Sequence, residues 1–195
     1  MFSFDFREIE LLQEEARWDE ATARMIDAAQ RLERAGADLL VICSNTMHRM
    51  AEDVERATSI PLLHVADATA EVIRRQGLTK VGLLGTRFTM EDDFYVKRLR
   101  AYGLTPITPP AEDREIVHRV IYNELIHGIC SPSSKRAYVR IIEDLIAAGS
   151  EAIILGCTEI MLLVGQSDSS VPVFDTTRIH AESAAAMAIT ATPPP

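Results

Sequence analysis

Gly149-Ser150-Glu151-Ala152-Ile153-Ile154-Leu155-Gly156-Cys157-Thr158-Glu159-Ile160 runs from a glycine through a short apolar segment into a polar turn. The apolar run suits a strand buried on both faces, and the abrupt Gly-Cys-Thr-Glu that closes it leads straight into helix-compatible sequence. Cys157 is therefore expected at the carboxyl end of a parallel strand and the amino end of a helix, where open α/β sheets place their chemistry. The same phrase occurs earlier as Gly36-Ala37-Asp38-Leu39-Leu40-Val41-Ile42-Cys43-Ser44-Asn45-Thr46. In that alignment Cys157 falls opposite Ser44, not Cys43, which predicts two half-sites facing each other.

Working outward, the chain alternates strands and helices. Helical segments are expected within Arg7–Arg34, then from Met47 to Arg56, Asp67 to Gln76, Met90 to Ala101, Glu115 to Ile129, Ser133 to Ala148 and Arg178 to Ile189. Strands are expected at Ser3–Phe6, Leu39–Ile42, Ile60–Val65, Lys80–Thr86, Leu104–Thr108, Ile153–Leu155 and Val171–Asp175. Such alternation predicts parallel sheets built from right-handed βαβ units. The expected organisation is an amino-terminal half, 1–76, a second half, 77–176, a helix at 177–190 packing back on the first, and a tail at 191–195. The second half opens with its own strand and polar turn at Lys80–Thr89, for which the first half has no counterpart. Projected back, the counterpart would lie about 30 to 35 residues before Met1, about one βα unit. Either the repeat is imperfect or the chain is shortened at its start, and shortening is the expectation taken here.

Composition limits what such a fold can do. The 195 residues are 47% hydrophobic and 25% charged, with a formal net charge of -9. No Lys/Arg cluster offers a nucleic-acid surface, and no apolar run reaches the about 20 residues of a membrane span. The start of the chain has neither the basic residues nor the apolar centre of a signal peptide, so the expected location is cytoplasmic. Cys43, Cys130 and Cys157 have neither disulfide-framework nor metal-ligand spacing, and no metal is expected.

Four motifs in order, Ile42-Cys43-Ser44-Asn45-Thr46-Met47-His48, Leu84-Gly85-Thr86-Arg87-Phe88-Thr89-Met90, Ile121-Tyr122-Asn123-Glu124 and Gly156-Cys157-Thr158-Glu159, resemble the aspartate/glutamate racemase family, in particular its broad-specificity amino-acid racemases. The resemblance extends over nearly the whole chain. It implies an α/β protein of two pseudo-symmetric Rossmann-like domains with the active site in the cleft between them. It also implies a homodimer, no pyridoxal phosphate or other cofactor, and two cysteines that remove and return the α-proton of an amino acid from opposite faces. The expected substrate is aspartate, glutamate or a related amino acid.

The chemistry wants a base of adequate strength and donors for the developing enolate-like carboxylate. A thiol suits the first need, since its ordinary pKa of about 8.5 falls at a helix amino terminus. Cys157 is the expected main base, and a reactive one, alkylated ahead of Cys43 and Cys130. Ser44 stands where the family motif has its second cysteine, so it either relays a proton or only caps a helix. Cys43 is expected to point into the core. Asn45, Thr46, Thr86, Thr89 and Thr158 are candidate carboxylate ligands at strand-to-helix turns, with N-capping as their alternative role. The resemblance suggests that Glu159 and His180 tune the thiol, while His48 and His64 read as structural. Acidic-substrate members commonly carry a Lys shortly after the Ile-Tyr motif; none follows Tyr122 here, and Arg87 is the replacement cation considered. A one-cysteine decarboxylase or cis-trans isomerase of small dicarboxylic acids, or an inactive shortened relative, is the alternative function.

Overall fold

The computed structural model describes residues 1–190; the predicted tail at 191–195 lies outside the described residues. The chain begins with helices α1 (Phe6–Glu14) and α2 (Trp18–Arg34), then strand β1 (Leu40–Val41), a 3-10 turn at Thr46–Met50, α3 (Ala51–Ala57), β2 (Leu62–Leu63) and α4 (Val65–Arg75). It continues through β3 (Lys80–Gly85), α5 (Arg87–Glu91), α6 (Asp93–Ala101), β4 (Thr105–Ile107), α7 (Ala111–Asn123), α8 (Pro132–Ala147), β5 (Ala152–Gly156), β6 (Val173–Asp175) and α9 (Thr176–Thr190). The strands form two parallel sheets, β1-β2 and β4-β3-β5-β6, so the α/β class with two parallel-sheet halves is as the alternation predicted.

β5 shows why the opening stretch organises the fold. All five of its residues are buried. Successive side chains of a strand point to opposite faces. Ile153 and Leu155 accordingly join Val117, Val120, Ile141 and Ile142 of α7 and α8 on one face. Ala152 and Ile154 join Tyr95, Leu99 and Ile179 of α6 and α9 on the other. Each buried Ile or Leu contributes about 1.5–3 kcal/mol relative to exposure. At the carboxyl end Gly85 pairs with Gly156, and the backbones close in. A Cβ on Gly85 would meet the Gly156 carbonyl oxygen at 2.8 Å, and one on Gly156 the Leu84 carbonyl oxygen at 2.9 Å. Only glycine permits that approach, which sets Thr86 and Cys157 side by side at the sheet's tip.

Several local expectations are corrected. Ser3–Phe6 is not a strand: the Asp5 side chain accepts the Arg7 amide at 2.9 Å and caps α1 at Phe6. The predicted strand at Ile60–Val65 shrinks to Leu62–Leu63, because β2 has a single two-residue neighbour and His64 already caps α4. The turn expected at Thr86–Thr89 is already helical, since Thr86 caps α5 by accepting the Thr89 amide. The expected helix Glu115–Ile129 starts earlier, at Ala111, and ends at Asn123, with a separate 3-10 turn at Leu125–His127.

Cys157 does not lead into an α-helix either. The segment after it turns and forms the 3-10 turns Ile160–Leu162 and Gln166–Asp168.

Packing joins α4 to the elements that follow it. Val65, Ala66, Ala70 and Ile73 of α4 are buried in the core of the four-stranded sheet. α4 also packs against α9. β1 is paired on one side only among the described residues, and Phe2, Phe4, Met25, Leu32 and Leu40 line an apolar cavity of about 250 Å³ beside it.

Candidate active site

The carboxyl ends of β1, β3 and β5 meet around a cavity of about 260 Å³, large enough for a small metabolite. Ser44, Asn45 and Thr46 reach it from beyond β1, Thr86 from β3, and Cys157, Thr158 and Glu159 from β5. The two halves of the repeat thus present their polar tips to one space.

Cys157 is buried at 8% exposure, and its Sγ donates to Glu159 Oε2 at 3.0 Å. Thr158 Oγ1 donates to the other carboxylate oxygen at 2.6 Å. Burial, and then the Glu159 negative charge, push the thiol well above its ordinary pKa, and the Thr158 and Glu159 backbone bonds only partly offset them. This overturns the low-pKa expectation, whose premise was a helix amino terminus that did not form. Cys157 is therefore held as the thiol.

The other two cysteines differ in access. Cys43 is exposed and lines the cavity beside Ser44, because β1 ends at Val41 and strand alternation no longer governs the residues after it. It is not the core residue expected. Cys130 is also exposed. Iodoacetamide should therefore modify Cys43 and Cys130 before Cys157, the reverse of the order expected from sequence. Peptide mass spectrometry after brief labelling measures it; first modification at Cys157 would show that the thiol ionises in spite of its burial.

The remaining predicted residues divide by geometry. Ser44 Oγ accepts the Met47 amide at 3.3 Å, so it caps the following turn and lines the cavity at once. Thr46 Oγ1 and Thr86 Oγ1 lie 2.9 Å apart, and Thr86 Oγ1 is 3.2 Å from Thr89 Oγ1, a hydroxyl chain running from one half-site into the other. Thr89 is fully buried behind Thr86 and does not line the cavity. The Asn45 side chain is committed at both ends: Nδ2 donates to Thr176 Oγ1 and Oδ1 accepts from the Tyr95 hydroxyl, each at 3.0 Å. It ties the turn after β1 to the second sheet's elements.

His180 does not touch Cys157. Its Nε2 donates to the Leu63 carbonyl at 2.9 Å, and it belongs to a cluster in which the His48 ring lies 4.4 Å from His64 and 5.6 Å from His180. His48 Nδ1 donates to the Ser44 carbonyl at 2.7 Å while its Nε2 accepts the Val65 amide, which defines one neutral tautomer. Burial first, with smaller contributions from the neighbouring imidazoles and Arg98, lowers His48 to about 3 and His64 to about 2. His180 is lowered as well, by burial.

A histidine depressed in the folded state stabilises fully above its unfolded pKa of about 6.5 and loses that contribution as pH falls toward the folded value. Each of His48 and His64 should therefore cost about 1.4 kcal/mol of stability between pH 7.5 and 5.5, before most carboxylates begin to protonate. Urea denaturation at the two pH values tests this. An unchanged unfolding free energy would mean that the cluster is accessible to protons in the folded state.

Gln13 and Tyr122 also line the cavity; the sequence had marked Tyr122 only as part of the Ile121-Tyr122 motif, without a role, and Gln13 not at all. Tyr122 Oη donates to Gln13 Oε1 at 2.6 Å, and Gln13 Nε2 to Met47 Sδ at 3.3 Å. The available signal was a glutamine in the buried stripe of α1, one turn after Ile9 and next to Leu12.

The fold and the site define an α/β protein whose opposed strand ends present a thiol, a carboxylate and hydroxyls to one small cavity. The pattern of the Asp/Glu/Hydantoin racemases matches residues 5–184, and the chain belongs to that family. It is 27% identical over 172 residues to the broad specificity amino-acid racemase RacX of Bacillus subtilis, covering 85% of this chain and 71% of RacX. Among solved structures it resembles a candidate Asp/Glu racemase from Yersinia pestis, with 53% identity, TM-score 0.90, and coverage of 97% of this chain and 83% of that one. An aspartate racemase homologue from Pyrococcus horikoshii matches at 39% identity and TM-score 0.82, over 96% and 82% of the two chains. Family membership makes the protein an isomerase of the racemase kind. No helix among the described residues is long and apolar enough to cross a membrane.

Proposed function

We propose that this chain is a cofactor-independent amino-acid racemase in which Cys157 is the main acid-base group and Ser44 serves the opposite face of the substrate. The observation that carries this is the hydrogen bond from the Cys157 thiol to Glu159 at 3.0 Å, inside a cavity that Ser44 also lines. Passing the thiol proton to Glu159 leaves a desolvated thiolate, a stronger base than one in water, which takes the α-proton; the reverse transfers return it. The hydroxyls of Thr46, Thr86 and Thr158 and nearby strand-end amides hold the α-carboxylate and stabilise its enolate-like form. Asn45, with both ends bonded, and Thr89, behind Thr86, position that wall rather than touch substrate. His180 acts through the cluster that orients the Ser44 carbonyl.

The protein works in the cytoplasm as a homodimer on this reading. Three free cysteines suit a reducing compartment, and exposed Ile129, Met161 and Leu162 supply apolar surface for a second copy. Following α-proton exchange of L- and D-amino acids in deuterated water tests the activity.

The protonated thiol also favours a second reading, a one-cysteine decarboxylase of small dicarboxylic acids in which Cys157 delivers a proton to the carbanion left by carbon dioxide. Carbon dioxide release from malonate-type acids, without α-exchange of any amino acid, would select it. A folded protein inactive in both assays would be a binding relative.

A further inference from the structure

The racemase reading leaves the side chain of the substrate open, and the cavity wall speaks to it. Phe4, Phe6, Ile9, Met25, Met47 and Ile126 form its apolar part, and among the described residues no Lys, Arg or His lines it. Glu159 is the single carboxylate there among the described residues, and it is already the acceptor for Cys157 and Thr158. A substrate with a second carboxylate would place it among apolar groups and a like charge, without a counter-ion.

Three basic residues lie behind a partition. A neighbouring cavity of about 300 Å³ is lined by Arg87, His118 and Arg119, with Glu14 and Glu115 beside them, and it shares Gln13 and Tyr122 with the first. The Tyr122-Gln13 hydrogen bond, continued by Gln13 to Met47, stands where the two cavities adjoin. Arg87 itself is turned to the outer side, its guanidinium 5.5 Å from the Phe88 ring and its amide on His118 Nδ1. It does not replace the missing lysine.

On the basis of the racemase reading, we propose that the cavity selects α-amino acids with uncharged, mainly apolar side chains such as leucine and methionine, and that the Gln13-Tyr122 pair determines this by shutting the basic residues out. Leaving a charge desolvated without a partner costs far more than a misfitted methylene, so the discrimination should be large. The size of the cavity agrees with a whole small amino acid rather than with a peptide.

The test is a panel of leucine, methionine, lysine, aspartate and glutamate, each as both antipodes, followed by α-deuteration, with binding measured in parallel by calorimetry. Exchange of leucine and methionine should exceed that of aspartate and glutamate by about a hundredfold or more in kcat/KM. Tyr122→Ala should shrink that ratio by about tenfold or more by raising the acidic substrates, and adding Arg87→Ala should remove the gain. Aspartate or glutamate exchanged as well as methionine by the native protein, lysine exchanged faster than methionine, or an unaltered ratio in a folded Tyr122→Ala variant would overturn the proposal. Tighter binding of methionine than of aspartate without exchange of any amino acid would retain the selectivity and sink the racemase reading alone. Preferred binding of aspartate, or binding of none, would sink this inference as well.

Discussion

Cys157→Ala is expected to abolish α-proton exchange, lowering its rate by about a thousandfold or more, because a positioned general base contributes about 10²–10⁴ and nothing else in the cavity replaces it from that side. The fold should survive. The lost sulfur faces a cavity, its removal is a small truncation costing about 1 kcal/mol, and the neighbouring Gly85-Gly156 approach depends on backbone alone. Thermal unfolding within a few degrees of the native protein, together with vanishing deuterium incorporation, is the result anticipated. A folded alanine variant that exchanges at near the native rate would take the catalytic assignment away from Cys157. The thiol's raised pKa adds a second signature. Since the thiol keeps its proton until Glu159 takes it, exchange should vary little with pH through the neutral and mildly alkaline range, where that internal transfer leaves the net protonation of the pair unchanged.

The two walls of the cavity are chemically unequal, and exchange should be lopsided in consequence. Each antipode presents its α-proton to a different wall; a thiol backed by Glu159 strips one, and the Ser44 hydroxyl, a much poorer base, strips the other. A racemase cannot alter the equilibrium between antipodes, so the asymmetry must appear in rates and in exchange without inversion. One enantiomer should lose its α-proton at least about tenfold faster than the other, and Ser44→Cys should raise the slow side selectively by a comparable factor. Ser44→Ala also removes the bond to the Met47 amide, worth about 1 kcal/mol as a cap, so its stability must be measured beside its kinetics. Equal exchange of both antipodes by the native protein would defeat the assignment. If Ser44→Ala leaves the slow side untouched while Cys43→Ala removes it, the second proton belongs to Cys43, which lines the same cavity.

The alternation of strands and helices, the parallel sheets and the placement of Cys157, Ser44, Thr46 and Thr86 at strand ends were legible in the chain, because each rests on local pattern. Ala152–Gly156 is a continuous apolar run closed by glycine, and such a run has few places to go other than between two helical layers. The repeat in Gly36–Thr46 and Gly149–Glu159 likewise set the two half-sites toward one cavity. Strand extent was less legible. Whether Ser3–Phe6 or Ile60–Val65 extends as a strand depends on a partner, and a capping Asp5 or His64 decides for helix where the partner is short.

What only the tertiary structure decided is the electrostatic state of the site and its outline. Cys157 was expected to be acidic from its neighbours in sequence, yet its ionisation is governed by burial among residues far along the chain and by where the Glu159 carboxylate turns. Asn45 is held between Tyr95 and Thr176, His180 by Leu63, and Gln13 meets Tyr122 across more than half the chain. Periodicity is a property of neighbouring residues, whereas desolvation and hydrogen-bond partnership are set by whatever the folded chain brings within a few ångströms. The sequence by itself therefore determined which elements form and which polar tips they carry, and packing determined which of those tips face the cavity, which are spent holding it together, and where the proton on Cys157 rests.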